Sequence, residues 1–251
     1  MNTTPHTMTQ DEMLARLLYR DGLMLVIDKP AGLSVHRGPK GGASLEDYFE
    51  ALRFGLPRDP ALAHRLDKDT SGCLVLGRHR KALARLGELF KQRKIGKTYW
   101  AVVEGRPDAD EGHIDMPLGR RDDTRGWWMK PDPNGQPAQT DWRVRGVADG
   151  FAWLELEPLT GRTHQLRVHC AAMGFPIVGD AVYGTATRGG VPLHLHARAV
   201  TVPIAKNKPP ITVVAPPPAH MRERLDACGW TEPSGGEQLA PVVAGNDQIE
   251  E

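Results

Sequence analysis

Two carboxylates and several cations lie close together in the first third of the chain. Residues 64–72 read His-Arg-Leu-Asp-Lys-Asp-Thr-Ser-Gly, so Asp67 and Asp69 stand two positions apart, with a histidine, an arginine and a lysine beside them. Neighbouring positive charges favour the ionised form of a carboxyl group. The apolar run 73–76 that follows is typical of a strand entering a core. The pattern predicts a loop that holds an ionised aspartate, and Asp67 is the candidate nucleophile or base.

Two other segments place polar side chains beside candidate strands. Residues 97–99 open one strand candidate, and residues 162–169 are dense in hydrogen-bond donors. On a helix, Arg162 and Arg167 would diverge by roughly 140°, so they cannot serve the same function. One of them could pair with Asp67 while the other holds a phosphate. A buried ion pair without a catalytic role is an equally open interpretation.

Metal and hydrolytic chemistry find little support in the sequence. His164 and His169 are five positions apart and do not share a helical face; His194 and His196 share a strand face but lack a His-Glu-x-x-His partner motif. Ser71 is not part of a Gly-x-Ser-x-Gly elbow. Neither a P-loop nor a Gly-x-Gly-x-x-Gly stretch occurs. We predict no metal site and no cofactor.

The elements that must position these residues do not follow a regular β-α-β order. Predicted strands cover residues 23–27, 97–103, 113–116, 140–147, 151–157, 193–202 and 211–214. Predicted helices cover residues 45–52, 80–94, 163–173 and 220–227. Asp149-Gly150 indicates a tight hairpin. We expect an α+β fold with a mixed, largely antiparallel sheet and flanking helices.

Residues 120–136 have no apolar period and are predicted to form a loop. Cations alternate there with Trp127 and Trp128, which is typical of a platform on which unpaired bases stack. The alternative, that both tryptophans simply pack against the protein, remains open.

Composition and charge indicate an ordinary soluble protein. Hydrophobic residues make up 40% of 251 residues and the net charge is +1. No apolar run approaches the ~20 residues of a membrane span, and three widely separated cysteines fit a reducing cytoplasm.

We expect a disordered tail over residues 1–12, one domain over residues 13–230 and an acidic disordered tail over residues 231–251. That last segment contains five acids and no lysine or arginine, so the remaining body is basic.

The chemistry-bearing segments resemble the motifs of the RluA-type pseudouridine synthases. The likeness includes His-Arg-Leu-Asp at residues 64–67, Lys-Thr-Tyr at residues 97–99 and Gly-Arg-Thr-His-Gln-Leu-Arg-Val-His at residues 161–169. It continues in residues 174–180 with Tyr183-Gly184, in residues 195–197, and in the Asp-Lys-Pro-Ala-Gly turn at residues 28–32. The match covers about residues 18–218. No basic domain of the S4 kind precedes it, which resembles the compact members of the family.

The resemblance implies the pseudouridine synthase fold with a central RNA-binding cleft, and an isomerase that detaches uracil from ribose C1′, rotates it and rejoins it through C5. Asp67 would be the essential carboxylate. Tyr99 would lie against the target base and help to remove the C5 proton. Arg167 would pair with Asp67 and keep it ionised, and Leu166 would line the base pocket. Arg65 would enter the space that the flipped uridine leaves.

His64 and Arg162 complete the substrate contacts expected from the resemblance. The implied partner is structured RNA, in 23S ribosomal RNA, tRNA or both, and the implied protein is a cytoplasmic monomer without cofactor or membrane attachment. A catalytically silent RNA-binding protein of the same fold is the competing hypothesis. The complete set of Asp67, Tyr99 and Arg167 argues against it. A hydrolase that uses the histidines is a third and weaker hypothesis.

Overall fold

The computed structural model describes residues 8–38, 41–121, 128–205, 207–232 and 242–243. The N-terminal half contains α1 (Gln10–Leu14), β1 (Leu17–Arg20), β2 (Met24–Lys29), a 3-10 helix (Leu45–Leu52), β3 (Ala61–Leu62), β4 (Ser71–Gly77), α2 (Arg80–Lys91), β5 (Gly96–Glu104), β6 (Glu111–Asp115) and β7 (Leu118–Arg120). The C-terminal half contains β8 (Met129–Pro131), β9 (Gln139–Ala148), β10 (Phe151–Pro158), α3 (Gln165–Ala172), β11 (Leu195–Val202), β12 (Ile211–Val214), α4 (Ala219–Ala227) and β13 (Val242–Val243).

A large mixed sheet runs through the described part of the chain in the order β13-β1-β2-β4-β11-β5-β10-β9-β6, with β12 beside β11 and β3 beside β4. Within those ranges the pairs β4–β11 and β1–β13 are parallel and the other pairs are antiparallel. Strands β7 and β8 form a separate antiparallel pair. The predicted α+β fold with a largely antiparallel sheet is confirmed.

Helices cover both faces of the sheet, and strand alternation decides which residues each helix meets. In β5, Ala101 packs in a cluster with Leu166 of α3. Trp100 and Val102 pack in another cluster with Met221 of α4. Side chains at odd positions of β5 therefore face α3. Residue 99 is also at an odd position, so Tyr99 lies on the side of the sheet that faces α3 and packs against the cluster that contains Leu166.

Several predicted elements are confirmed, and three differ. The predicted hairpin at Asp149-Gly150 joins β9 and β10, with positive φ at both residues. Helix α1 lies inside the predicted N-terminal tail, because Thr9 and Glu12 cap it reciprocally. The backbone of β13 pairs with β1 inside the predicted acidic tail; residues 233–241 and 244–251 lie outside the described residues.

The predicted loop over residues 120–136 is instead partly a hairpin. Strands β7 and β8 pair there, with Leu118 opposite Pro131. Each strand is only three residues long, and of their six residues only Leu118 is buried. Such short, mostly exposed strands show no apolar alternation in the sequence. The guanidinium of Arg121 lies 5.6 Å from the ring centre of Trp128, an arrangement of the cation–π kind. Trp127 lies outside the described residues. In the ranges that are described, no helix is long and apolar enough to cross a membrane.

Gly72 lets β4 approach β11 directly behind the Asp67 loop. Its φ is +103°, and a Cβ atom there would lie 2.3 Å from the carbonyl oxygen of Ala197. Gly72 and Ala197 are register partners in the parallel pair. Both the backbone conformation and the short contact exclude a side chain at this position.

We predict that Gly72→Ala lowers the free energy of unfolding by more than about 2 kcal/mol, because strain and a backbone clash add together. The measurement is equilibrium unfolding in urea. Gly87→Ala in α2 is the matched control: a Cβ there meets no atom within 4 Å, so the change should stabilise the protein by up to about 1 kcal/mol. Equal effects of the two substitutions would contradict this account of Gly72.

Candidate active site

The Asp67 loop is anchored to the core on one side and open to a pocket on the other. Leu66 is buried and packs with Leu25 and Leu74 of the central strands. The backbone N–H of Thr70 donates to the carbonyl oxygen of Asp67 over 3.2 Å and closes a tight turn. The Asp67 carboxylate is 19% exposed. The anchor fixes the backbone of the loop while the carboxylate keeps access to the pocket.

A buried lysine binds this loop from inside the protein. The Lys29 ammonium donates to the carbonyl oxygens of Pro30, Lys68 and Thr70 over 2.8, 2.9 and 2.8 Å, and the residue is fully buried. Three acceptors use all three N–H groups of an ammonium. Burial lowers the pKa of Lys29, and the nearby acidic side chains, Asp69 first and then Asp67, oppose that shift. The three carbonyl acceptors also favour the ammonium form.

This role of Lys29 was not predicted from the sequence, where the residue falls in the Asp-Lys-Pro-Ala-Gly turn. Strand β2 in fact continues through Lys29. A lysine that directly extends a buried apolar strand was the available signal, since lysine is rarely fully buried without partners.

Asp67 opens on a pocket of about 130 Å³. Six of the seven predicted site residues line it: Arg65, Asp67, Tyr99, Arg162, Leu166 and Arg167. The pocket therefore suits one small planar ring, with an apolar wall at Leu166 and a carboxylate at its edge.

Tyr99 stands beside the carboxylate as a neutral phenol. Burial raises the pKa of Tyr99, and the charge of Asp67 raises it further. A phenol with a raised pKa holds its proton near neutral pH. Contact with the target base and help in removing the C5 proton both stay predictions for Tyr99.

Arg167 does not pair directly with Asp67 as expected, and Asp180 is its partner instead. The two guanidinium donors Nε and Nη2 bind the Asp180 carboxylate over 2.8 and 2.7 Å in a buried, bidentate pair. The backbone N–H groups of Val182 and Tyr183 fix the same carboxylate over 2.9 and 3.0 Å. Although burial opposes the shift, these donors hold the pKa of Asp180 below its usual value. Asp67 acts on Arg167 only as a nearby charge.

The imidazole of His164 stands near Asp67 as well. Its Nε2 atom lies 3.8 Å from Oδ2 of Asp67, and its Nδ1 atom lies 2.8 Å from the hydroxyl of Tyr183. Burial lowers the pKa of His164 even though Asp67 raises it. From the sequence, His164 is considered only as a possible metal ligand. Its φ of +55° places it in the left-handed region, immediately before α3, a feature that spacing alone does not reveal.

A buried amide organises the segment between β10 and α3. The side-chain oxygen of Gln165 accepts from the Thr160 hydroxyl over 2.6 Å and from the Arg162 backbone N–H over 3.0 Å. Its nitrogen donates to the Gln139 carbonyl oxygen and to the Thr140 hydroxyl over 2.8 and 3.0 Å. Because α3 begins at Gln165, Arg162 precedes the helix, and the predicted angle between Arg162 and Arg167 does not apply.

A wider groove of about 880 Å³ adjoins the pocket and is lined with cations. These cations are Arg65, Lys91, Arg93, Lys94, Lys97 and Arg162. The Lys97 ammonium donates to the Thr160 carbonyl oxygen over 3.3 Å, and burial lowers the pKa of Lys97 to about 8, with the charge of Arg93 adding to the effect. The groove offers a polyanion a positive path that leads to Asp67.

His64 does not line the pocket and instead contacts β4 beside the Asp67 loop. Its Nε2 atom accepts the backbone N–H of Val75 over 3.0 Å, and its ring lies 4.6 Å from that of Phe90. Burial lowers the pKa of His64 to about 4. The ring therefore stays neutral. Because Nε2 already accepts a backbone N–H, it is not available to a substrate. The predicted substrate contact of His64 is therefore limited to the rest of the ring, which lines the groove.

Other histidines make hydrogen bonds within the fold. His169 lies between the Thr140 hydroxyl and the Met116 carbonyl oxygen, each at 3.0 Å. His196 lies 2.9 Å from the Ser71 hydroxyl. Among the residues that the structure describes, no group of three or more histidine, cysteine, aspartate or glutamate side chains is arranged to hold a metal ion. Asp69, the second acid of the loop, is exposed.

We predict that Lys29→Met lowers the free energy of unfolding by at least about 2 kcal/mol, because the carbonyl oxygens of Pro30, Lys68 and Thr70 lose the ammonium as a donor. Lys68→Met is the control, because Lys68 is exposed on the same loop and should change stability by less than about 0.5 kcal/mol. Urea unfolding of both variants provides the comparison. If Lys29→Met were as stable as Lys68→Met, the loop would not depend on this ammonium.

Comparison with known proteins identifies the family of the chain. Residues 23–172 match the family model described as RNA pseudouridylate synthase. A protein of Zymomonas mobilis, described as an uncharacterized RNA pseudouridine synthase, is 44% identical over 206 residues, which cover 81% of this chain and 94% of that protein. The ribosomal large subunit pseudouridine synthase C of Vibrio cholerae is 34% identical over 83% of this chain and 68% of its own length.

A solved structure supports the same assignment. Human RNA pseudouridylate synthase domain containing 4 superposes with a TM-score of 0.73 at 29% identity, over 86% of this chain and 95% of the human one. The family match covers the Asp67 loop, Tyr99 and the segment that leads into α3. The chain belongs to the RNA pseudouridine synthase family, whose members are isomerases.

Proposed function

We propose that Asp67 is the essential carboxylate with which this enzyme converts a uridine to pseudouridine. The observation that carries the proposal is the position of the Asp67 carboxylate at the edge of a small pocket, with Tyr99 and Leu166 as further walls. In the reaction the C1′–N1 bond breaks, a C1′–C5 bond forms, and the proton lost from C5 is balanced by one gained at N1. Attack on C1′, attack on the ring and assistance in glycal formation all use an ionised carboxylate at this place.

The uridine is proposed to reach Asp67 by leaving its base stack. A base inside an RNA helix cannot enter a recessed pocket of about 130 Å³, so the nucleotide must flip out at a cost of a few kcal/mol. Arg65 is exposed beside Asp67, which fits the role of filling the space left behind. Tyr99 offers the aromatic face against which the flipped ring lies.

The cationic groove is the proposed path of the RNA backbone. Six lysine and arginine side chains line it beside the pocket, and phosphate contacts supply much of the affinity of proteins for nucleic acids. Arg162 and Lys97 belong to both the groove and the pocket. They are well positioned to bind the phosphates that flank the flipped uridine.

Structured RNA of the ribosome or tRNA is the proposed substrate, and the cytoplasm the proposed place of action. The name of the Vibrio cholerae relative refers to the large ribosomal subunit, which supports 23S ribosomal RNA. Proteins recognise such RNA through loop shape and splayed bases. Pseudouridine mapping of total RNA from cells with and without the gene identifies the site, because the authentic position loses its modification in the deletion strain.

We predict that Asp67→Asn abolishes turnover, lowering the rate by several orders of magnitude, while RNA affinity changes by less than about threefold. The assay follows pseudouridine formation in total RNA from the deletion strain. Asp69→Asn is the matched control, because Asp69 is an exposed acid two residues away and should leave the rate nearly unchanged. Substantial turnover by Asp67→Asn would show that a residue other than Asp67 supplies the reacting carboxylate.

We also predict that RNA affinity falls steeply as salt concentration rises and that the groove cations set the slope. The double variant Arg93→Ala, Lys94→Ala should reduce the slope of log affinity against log salt by about 0.7 to 0.9 for each phosphate that the protein no longer neutralises. Lys81→Ala on α2 is the control, because Lys81 is exposed but does not line the groove. A slope that is the same in both variants and the parent would exclude the groove as the RNA path.

A further inference from the structure

We propose that His164 is a positioning residue that orients the Asp67 carboxylate through a neutral Nε2–H group. The proposal rests on the proposed role of Asp67 as the reacting carboxylate. It assigns to His164 neither a metal nor a proton-transfer step: the imidazole acts on the substrate only through Asp67.

The first observation is the approach of the two side chains. The Nε2 atom of His164 lies 3.8 Å from Oδ2 of Asp67, with the side chains 9% and 19% exposed. The gap is longer than a hydrogen bond, but contacts in substrate-free active sites often shorten when the substrate binds. Arg167 is the guanidinium expected to do this work, and its Nε and Nη2 donors are engaged by Asp180.

The second observation concerns the position of the imidazole proton. The backbone N–H of Met129 donates to the Tyr183 oxygen over 2.9 Å. The Tyr183 hydroxyl still has its own proton to donate, and Nδ1 of His164 lies 2.8 Å from it. A neutral imidazole has one donor and one acceptor nitrogen, so an accepting Nδ1 leaves the proton on Nε2. The opposite tautomer would aim the Nε2 lone pair at the Asp67 carboxylate, which is repulsive.

The third observation is the backbone strain that His164 accepts. Its φ of +55° lies in the left-handed region, at the residue directly before α3. Non-glycine residues seldom adopt this region, and those that do cluster at functional sites. Here the strained turn directs the imidazole between Asp67 and Tyr183.

Charge explains why a neutral donor suits this place. Burial lowers the pKa of His164, Arg167 and Arg65 lower it further, and the carboxylates of Asp67 and Asp180 oppose them. The group is therefore neutral near pH 7. A neutral N–H can align Asp67 without the tight ion pair that would compete with the substrate for the carboxylate.

The test compares two amide variants that place a donor at different ends of the imidazole. The glutamine amide in His164→Gln can reach the position of Nε2, whereas the asparagine amide in His164→Asn reaches only that of Nδ1. Asparagine also tolerates the left-handed backbone. The substrate is total RNA from the deletion strain, with pseudouridine formation at the mapped site as the readout.

We expect His164→Asn to lower kcat by about 10- to 100-fold with KM unchanged, because a hydrogen bond to a charged group is removed. His164→Gln should stay within about threefold of the parent. Equal losses in both variants would indicate a merely structural role and overturn the proposal, and so would full activity in both. Asp67→Asn in the same assay keeps the two questions apart: if it is active, the proposed function fails whatever the His164 variants do.

A spectroscopic measurement tests the tautomer without any turnover. In protein labelled with 15N-histidine, the His164 resonances are identified by their absence from His164→Gln. We expect a protonated Nε2 and an unprotonated Nδ1 in the parent. A protonated Nδ1 in the parent would overturn the proposal.

Discussion

The site depends on one ammonium group inside the protein. Lys29 extends from a central strand and binds three carbonyl oxygens, two of which belong to the loop that carries Asp67. A fully buried lysine is costly unless its donors are satisfied, and here each N–H has an acceptor. The loop and the strand are therefore mutually dependent, since the loop supplies the partners that the buried charge requires. Gly72 completes the arrangement by letting β4 lie against β11 just behind the loop.

Around this loop the basic side chains have separate tasks. Arg167 is held by Asp180 in a buried bidentate pair, and the neutral ring of His64 accepts the backbone N–H of Val75. Six lysine and arginine side chains line the groove beside the pocket. Among the residues that the structure describes, Asp67 thus lies near positive charge without a direct arginine partner. Its carboxylate stays accessible from the pocket.

Sequence patterns predicted local structure, and the family resemblance predicted which residues meet at the site. Alternation and Asp149-Gly150 were sufficient for the β9–β10 hairpin, and six of the seven site residues expected from the resemblance line one pocket. The predicted partner of Arg167 was wrong, because the choice between Asp67 and Asp180 depends on which carboxylate the backbone N–H groups fix. The partners of Lys29 were missed because they depend on contacts across the fold, and the place of His164 was missed because a left-handed φ is not visible in residue spacing.

The central claim is that a flipped uridine meets Asp67 in the pocket between Tyr99 and Leu166. It is tested most directly by a crystal structure of Asp67→Asn bound to the RNA stem-loop that contains the mapped site. The account predicts the uracil ring in the pocket against Tyr99, its ribose C1′ beside residue 67, and Arg65 in the vacated stack. A uridine that remains stacked in the RNA, or that is bound away from residue 67, would contradict it.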